Sequence, residues 1–217
     1  MRKLTPFLLI CSIVLSLVAC QKEQSIDTLG STPGSGGSTG GGGNTSGKTE
    51  VGTWKFLSMR GITSSIVEFN DGVDNIKSVT LSDYTTINNT GTLKFDGSTM
   101  TSNGIGYSVD FIAKGYFYTN GTLDDSLEVP FSFTAPPTSA TASYKKIGSD
   151  SIYVQSGMFT TGSGGTSQSS AGGYKLKFDG DKMTMTGVVS QSKLDLSSGV
   201  SQRTTNRAEQ ILSFQKQ

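Results

Sequence analysis

The chain has 217 residues, 18 Lys and Arg against 17 Asp and Glu, and a formal net charge of +1. With no stretch that concentrates Lys and Arg, this balance excludes nucleic acid as a partner, because neutralising phosphates needs a dense basic face. The chain has no histidine, so the commonest general base and the commonest zinc ligand are missing together, and an enzyme is not expected.

At the amino terminus, Arg2 and Lys3 precede an apolar run from Pro6 to Val18 that closes on Leu17-Val18-Ala19-Cys20. A basic start, an apolar stretch and a small residue before the cut are the parts of a secretory signal. The run is shorter than the roughly 20 apolar residues of a membrane helix. It resembles the signal of bacterial lipoproteins. That resemblance implies cleavage after Ala19, a diacylglycerol thioether on Cys20 and acylation of the new amino terminus. Two or three acyl chains, at about 0.8 kcal/mol per buried methylene, give durable attachment. Gln21 rather than aspartate follows Cys20. In the common Gram-negative pattern this implies the outer membrane, at its periplasmic face or at the cell surface, and Lys22-Glu23 partly matches a surface-display signal. Cys11 leaves with residues 1–19 and Cys20 is consumed by lipid, so the mature chain carries no disulfide and must be held by its core.

Residues 20–49 are the expected tether, with Ser, Thr and Gly dominant from Gly30 to Gly47. Such a segment buries too little apolar surface to offset its ordering entropy and is expected as a flexible coil. Random-coil scaling gives it a reach of roughly 30 Å.

From residue 50 to 217 the grammar is β throughout: short runs of Val, Ile, Thr, Tyr and Phe between Gly, Asn, Asp and Ser. Strands are expected over 51–60, 64–70, 76–86, 91–95, 99–107, 109–118, 127–133, 142–147, 152–159, 173–178, 182–189 and 208–214. Their close spacing argues one all-β domain, an antiparallel up-and-down meander closed as a barrel or packed as a sandwich. Two stretches with similar words, Leu93-Lys94-Phe95-Asp96-Gly97 and Leu176-Lys177-Phe178-Asp179-Gly180, predict tight hairpins with Asp-Gly at the turn centre. Lys145-Lys146 reads as a solvated strand end. Asp124-Asp125 with Glu128 reads as a loop end before a strand, since neighbouring strand residues face opposite sides and do not converge as a carboxylate pair. Ser163 lies in a second Gly/Ser-rich stretch with no histidine to activate it. No catalytic residue, metal ligand or cofactor is assigned. Asp27-Thr28-Leu29, Asp125-Ser126-Leu127 and Asp150-Ser151-Ile152 each fit an O-glycosylation acceptor of exported bacterial proteins.

Gly52-Thr53-Trp54-Lys55 opens the β domain and carries the only tryptophan. It resembles the Gly-x-Trp opening of lipocalins and other calycins. The resemblance implies that Trp54 closes the bottom of a barrel while a basic residue near the last strand packs on its ring, Arg203 or, better placed, Arg207. The family's late Thr-Asp-Tyr motif has no counterpart at the right place, since Ser82-Asp83-Tyr84 comes too early. The resemblance also implies an open barrel end lined by Phe111, Tyr116, Tyr118, Phe131, Phe133 and Tyr153, although ordinary core is the preferred reading of each, since small barrels fill their interiors with side chains.

Two functions follow. One is a lipid-anchored lipocalin-like protein that binds a small lipophilic molecule in the cell envelope. The other is a structural or interaction domain that contacts an envelope protein, a glycan or a host surface. An aromatic cavity of roughly 300 Å³ or more favours the first, and a solid core with an exposed apolar patch favours the second.

Overall fold

The computed structural model describes residues 49–155, 172–196 and 200–217. The signal, Cys20, the tether up to residue 48, the 156–159 end of the expected strand 152–159, Ser163 and the Asp27 acceptor lie outside them. The folded unit begins at Glu50 and runs to Gln217.

It is a single antiparallel sheet of nine strands that closes on itself. In chain order they are β1 (Gly52–Asn70), β2 (Asn75–Thr85), β3 (Ile87–Phe95), β4 (Thr99–Thr119), β5 (Thr122–Ile147), β6 (Ser151–Val154), β7 (Gly172–Asp179), β8 (Lys182–Asp195) and β9 (Gln202–Lys216). The expected all-β meander and barrel-like closure are present. At one end β1 pairs with both β3 and β9, and β3, β4, β5, β6, β7, β8 and β9 pair in succession to complete a ring. Beyond the ring the long strands continue. There the far half of β1 pairs with β2 and β9, β2 pairs with β4, and residues 122–135 of β5 pair with β4.

The strands are fewer and longer than the sequence punctuation suggests. β4 has 21 residues and β5 has 26, each joining two expected strands. Gly61 reads as a break between 51–60 and 64–70, yet it lies inside β1. It sits directly opposite Tyr84, and a side chain there would collide with the Tyr84 ring. Gly187 faces Tyr174 in the same manner, with the ring carbon 2.7 Å from where a Cβ would stand. Glycine in both strands is a notch that an aromatic ring covers, the arrangement that rescues a glycine's low strand propensity. Thr86 separates β2 from β3, and its hydroxyl accepts the Met59 N–H at 2.8 Å where the ladder is interrupted.

Both Asp-Gly hairpins form, with the turn shifted by one residue from expectation. Asp96 N–H bonds Thr99 O at 3.2 Å, so Gly97-Ser98 is the central pair, and Gly97 has φ 100°. The aspartate caps the turn: its carboxylate accepts the Ser98 and Thr99 N–H groups at 3.0 and 2.7 Å and the Thr99 hydroxyl at 2.6 Å. These bonds, the Thr99 hydroxyl foremost, hold the Asp96 carboxyl far below the usual range. In the second hairpin Asp179 pairs with Lys182, leaving Gly180-Asp181 at the centre. A third turn, Asn120-Gly121, joins β4 to β5, with both residues at positive φ (51° and 83°), as a type I′ hairpin requires.

The ring is filled. Phe56, Phe95, Phe214, Met59, Leu93, Met100, Ile152, Met183, Met185 and Leu212 are each at most 1% exposed. They are the inward residues of strands whose side chains alternate between the two faces. Burying such side chains contributes about 1.5–3 kcal/mol each. From this core an aromatic chain runs outward: Phe56 to Tyr107, Tyr107 to Phe133, Phe133 to Phe131, Phe131 to Phe111, and Phe111 stacked on Tyr84 at 4.8 Å.

Candidate functional site

At the closed end, Trp54 is 3% exposed and its indole N–H donates to Glu50 O at 2.6 Å. The basic residue on its ring is Lys216, whose Nζ lies 4.6 Å from the ring centroid and donates to Val51 O at 2.7 Å. Gly52 makes room for it: at φ 128° a Cβ there would stand 2.8 Å from Lys216 Nζ. The Gly-x-Trp spacing thus has a local cause, a gap beside the indole for an ammonium to cross.

Arg207 does not take this part. It lies far along β9, opposite Ser64 and Ser190, while the β9 residue opposite Trp54 is Lys216. Arg203 is farther still, opposite Glu68. The missed signal was the length of the last strand, which runs beyond Phe214 to Lys216, so that a cation two residues past an inward Phe falls at the rim.

Glu50 completes the closed end. Its side chain is 4% exposed and its carboxylate pairs with Lys146 Nζ at 3.0 Å and accepts the Tyr144 hydroxyl at 3.3 Å. Lys146 is therefore engaged rather than merely solvated. Burial first, and the Glu50 charge second, push the Tyr144 hydroxyl up to about 12. Burial also raises Tyr84 and Tyr174. For Tyr144 the raised folded-state value means that its stability contribution is whole below the unfolded value near 10 and is lost as pH rises toward 12. Alkaline titration followed by circular dichroism and tyrosinate absorbance should therefore show unfolding between pH 10 and 12, and Tyr144→Phe should delay its onset.

The residues expected to line an open barrel end divide by strand parity. Phe111, Phe131 and Phe133 face inward, paired across β4 and β5 and packed against the core. Tyr116 and Tyr118 face outward, since Phe117 between them shares the inward parity of Phe111. Tyr118 lies under Lys77 Nζ at 6.0 Å. Tyr153 also faces outward, between Ile152 and Val154, which are both 0% exposed. Neither Tyr116 nor Tyr153 can line an interior. Asp124 and Asp125 belong to β5, which starts at Thr122 rather than at 127. Ser126 and Ser151 of the proposed acceptor tripeptides both lie in strands.

A groove of about 390 Å³ lies on the outer wall instead, lined by β1, β2, β4 and β9 residues including Ile62, Leu81, Ile112, Lys114 and Arg207. These side chains have the parity opposite to Gly61, Tyr84 and Phe111, which face the core. Its carboxylate, Asp83, is gripped by Arg60 through two bonds of 2.8 and 2.6 Å. Those bonds hold Asp83 below the usual carboxylate range. Among the described residues no cluster of His, Cys, Asp and Glu could hold a metal ion.

Fold and groove together define a closed, side-chain-filled antiparallel β domain with a depression on its outer wall. No protein-family model, no curated protein and no solved structure matches the chain.

Proposed function

We propose that this chain is a lipoprotein of the bacterial outer membrane, held by lipid on Cys20, whose β domain works by surface contact with another envelope component. The observation that carries the contact reading is the filled ring. Ten large side chains at its centre are essentially inaccessible, and the aromatic residues best suited to line a carrier cavity spend their faces on one another. A lipocalin-like carrier needs a mostly apolar cavity of roughly 300 Å³ or more for its ligand. The described groove of that size is on the outside.

The domain begins at Glu50, beside Trp54 at the closed end. At about 3.3 Å per strand residue, Ile62 and Ser64 lie about 25–35 Å farther along β1. The groove therefore lies well along the barrel from the Trp54 end of the domain.

Gentle extraction from the native membrane followed by non-denaturing mass spectrometry tests this reading. The expected mass is that of the acylated chain from Cys20 onward with no companion. A stoichiometric lipophile that co-purifies would overturn the contact reading in favour of a carrier. Cys20→Ser should move the protein from the membrane to the soluble fraction, and continued membrane attachment of that variant would overturn the anchor.

A further inference from the structure

Four neighbouring strands set one outward-facing row across the groove. Arg207 on β9 lies opposite Ser64 on β1, Ser64 opposite Leu81 on β2, and Leu81 opposite Lys114 on β4. With strands about 4.8 Å apart, the two cationic residues stand about 14 Å apart. Ser64 is the smallest side chain of the row, which leaves a depression there with Ile62, Leu81 and Ile112 along it.

The charges in this groove are unequally occupied. Asp83 makes two short bonds to Arg60. Arg207 reaches Glu209 at 3.4 Å and Lys114 reaches Glu128 at 3.8 Å, longer than the roughly 2.7–2.9 Å of a strong charge-assisted bond. Lys114 and Glu128 are more than half exposed, at 55% and 64% of their side chains, Arg207 is half exposed and Glu209 about a quarter, and such surface pairs are worth little and exchange easily. The groove therefore offers two exchangeable cations about an aliphatic floor, with its own carboxylate already consumed.

We infer that the groove receives an extended acidic peptide segment of a partner protein, with an acid at its first and fifth positions and a branched aliphatic residue at its third. In an extended chain alternate side chains share a face and repeat about every 6.8 Å. First and fifth carboxylates then stand about 13–14 Å apart, the span from Arg207 to Lys114. The third side chain drops over Ser64, between Ile62 and Leu81. An aliphatic floor suits a peptide side chain better than a sugar, whose flat faces stack on aromatic rings. Complementary charge at the two ends would set the register and hasten encounter.

This inference rests on the contact reading above. Its test uses the full-length lipoprotein in detergent and a dye-labelled acetyl-Asp-Thr-Leu-Thr-Asp-amide peptide, followed by fluorescence anisotropy. Binding is expected to weaken at least tenfold in the double variant Arg207→Gln/Lys114→Gln, to weaken likewise when both peptide acids become Asn, and to fall with salt. Both lysine and arginine sites are exposed, so the double variant should melt within a degree or two of the parent, which a thermal scan verifies. No peptide binding, or equal binding by the double variant, overturns the inference. So does a preference for oligogalacturonate, an acidic glycan, that depends on Arg207 and Lys114, and so does a dimer that the double variant dissolves. A co-purifying lipophile sinks the contact reading itself, whereas peptide failure without a lipophile sinks this inference alone.

Discussion

Trp54→Ala should lower the unfolding free energy by about 3–5 kcal/mol, the usual cost of deleting a buried indole, and drop the melting temperature by about 10 °C or more. The ring is 3% exposed, contacts Phe178 at 5.9 Å and carries the bond to Glu50 O, so its loss opens a cavity and orphans a carbonyl together. The sharper part of the experiment is the choice of cation. Lys216→Ala should cost about 0.5–1 kcal/mol, the worth of an exposed ammonium over an aromatic face, and that cost should vanish in the Trp54→Ala background. Arg207→Ala should show no such coupling, because its strand position is remote from Trp54. A double-mutant cycle from denaturant melts reads both terms. Coupling of Trp54 to Arg207 in place of Lys216 would contradict the geometry of the closed end.

Gly91→Ala should be nearly as damaging, at about 3 kcal/mol or more. Gly91 has φ 94° and sits where β3 slips register against β4. A methyl group there would run into the Gly104 carbonyl and the Ile105 nitrogen. Backbone cannot step aside as a flexible side chain can, so strain of about 1–3 kcal/mol from the dihedral adds to about 1–3 kcal/mol of overpacking. Gly97→Ala is the matched control. Gly97 has a similar φ of 100° but open space around it, so it should lose only the dihedral part. The difference between the two melts isolates the steric part, and equal losses would mean that β3 and β4 do not approach as closely as described.

The all-β class, the hairpins at Gly97 and Gly180 and the structural part played by Trp54 were legible because each depends on local chemistry. Alternation needs a few residues, a turn needs one glycine at positive φ, and a lone tryptophan at the start of a β domain is too large to leave unpacked. Strand length was not legible. Gly61 punctuates a sequence as strongly as a turn glycine does, and only the Tyr84 ring opposite it reveals that β1 passes through. Parity between strands was lost for a related reason, because a single skipped residue, as between Phe56 and Ser58, reverses which side chains face the core. Within β4 the register runs unbroken from Phe111 to Phe117, so alternation from Phe111 was enough to place Tyr116 on the outer face.

By itself the sequence determined composition, alternation and turn chemistry, and with them an antiparallel β domain stabilised without disulfides. Those properties live within a few residues of chain. Tertiary structure alone decided that Lys216 rather than Arg207 crosses the indole, that ten large side chains fill the centre of the ring, and that Arg207, Ser64, Leu81 and Lys114 form one row. Each of these depends on register between strands far apart in the chain. Register is the sum of bulges, glycine notches and ring closure, and no single segment carries it.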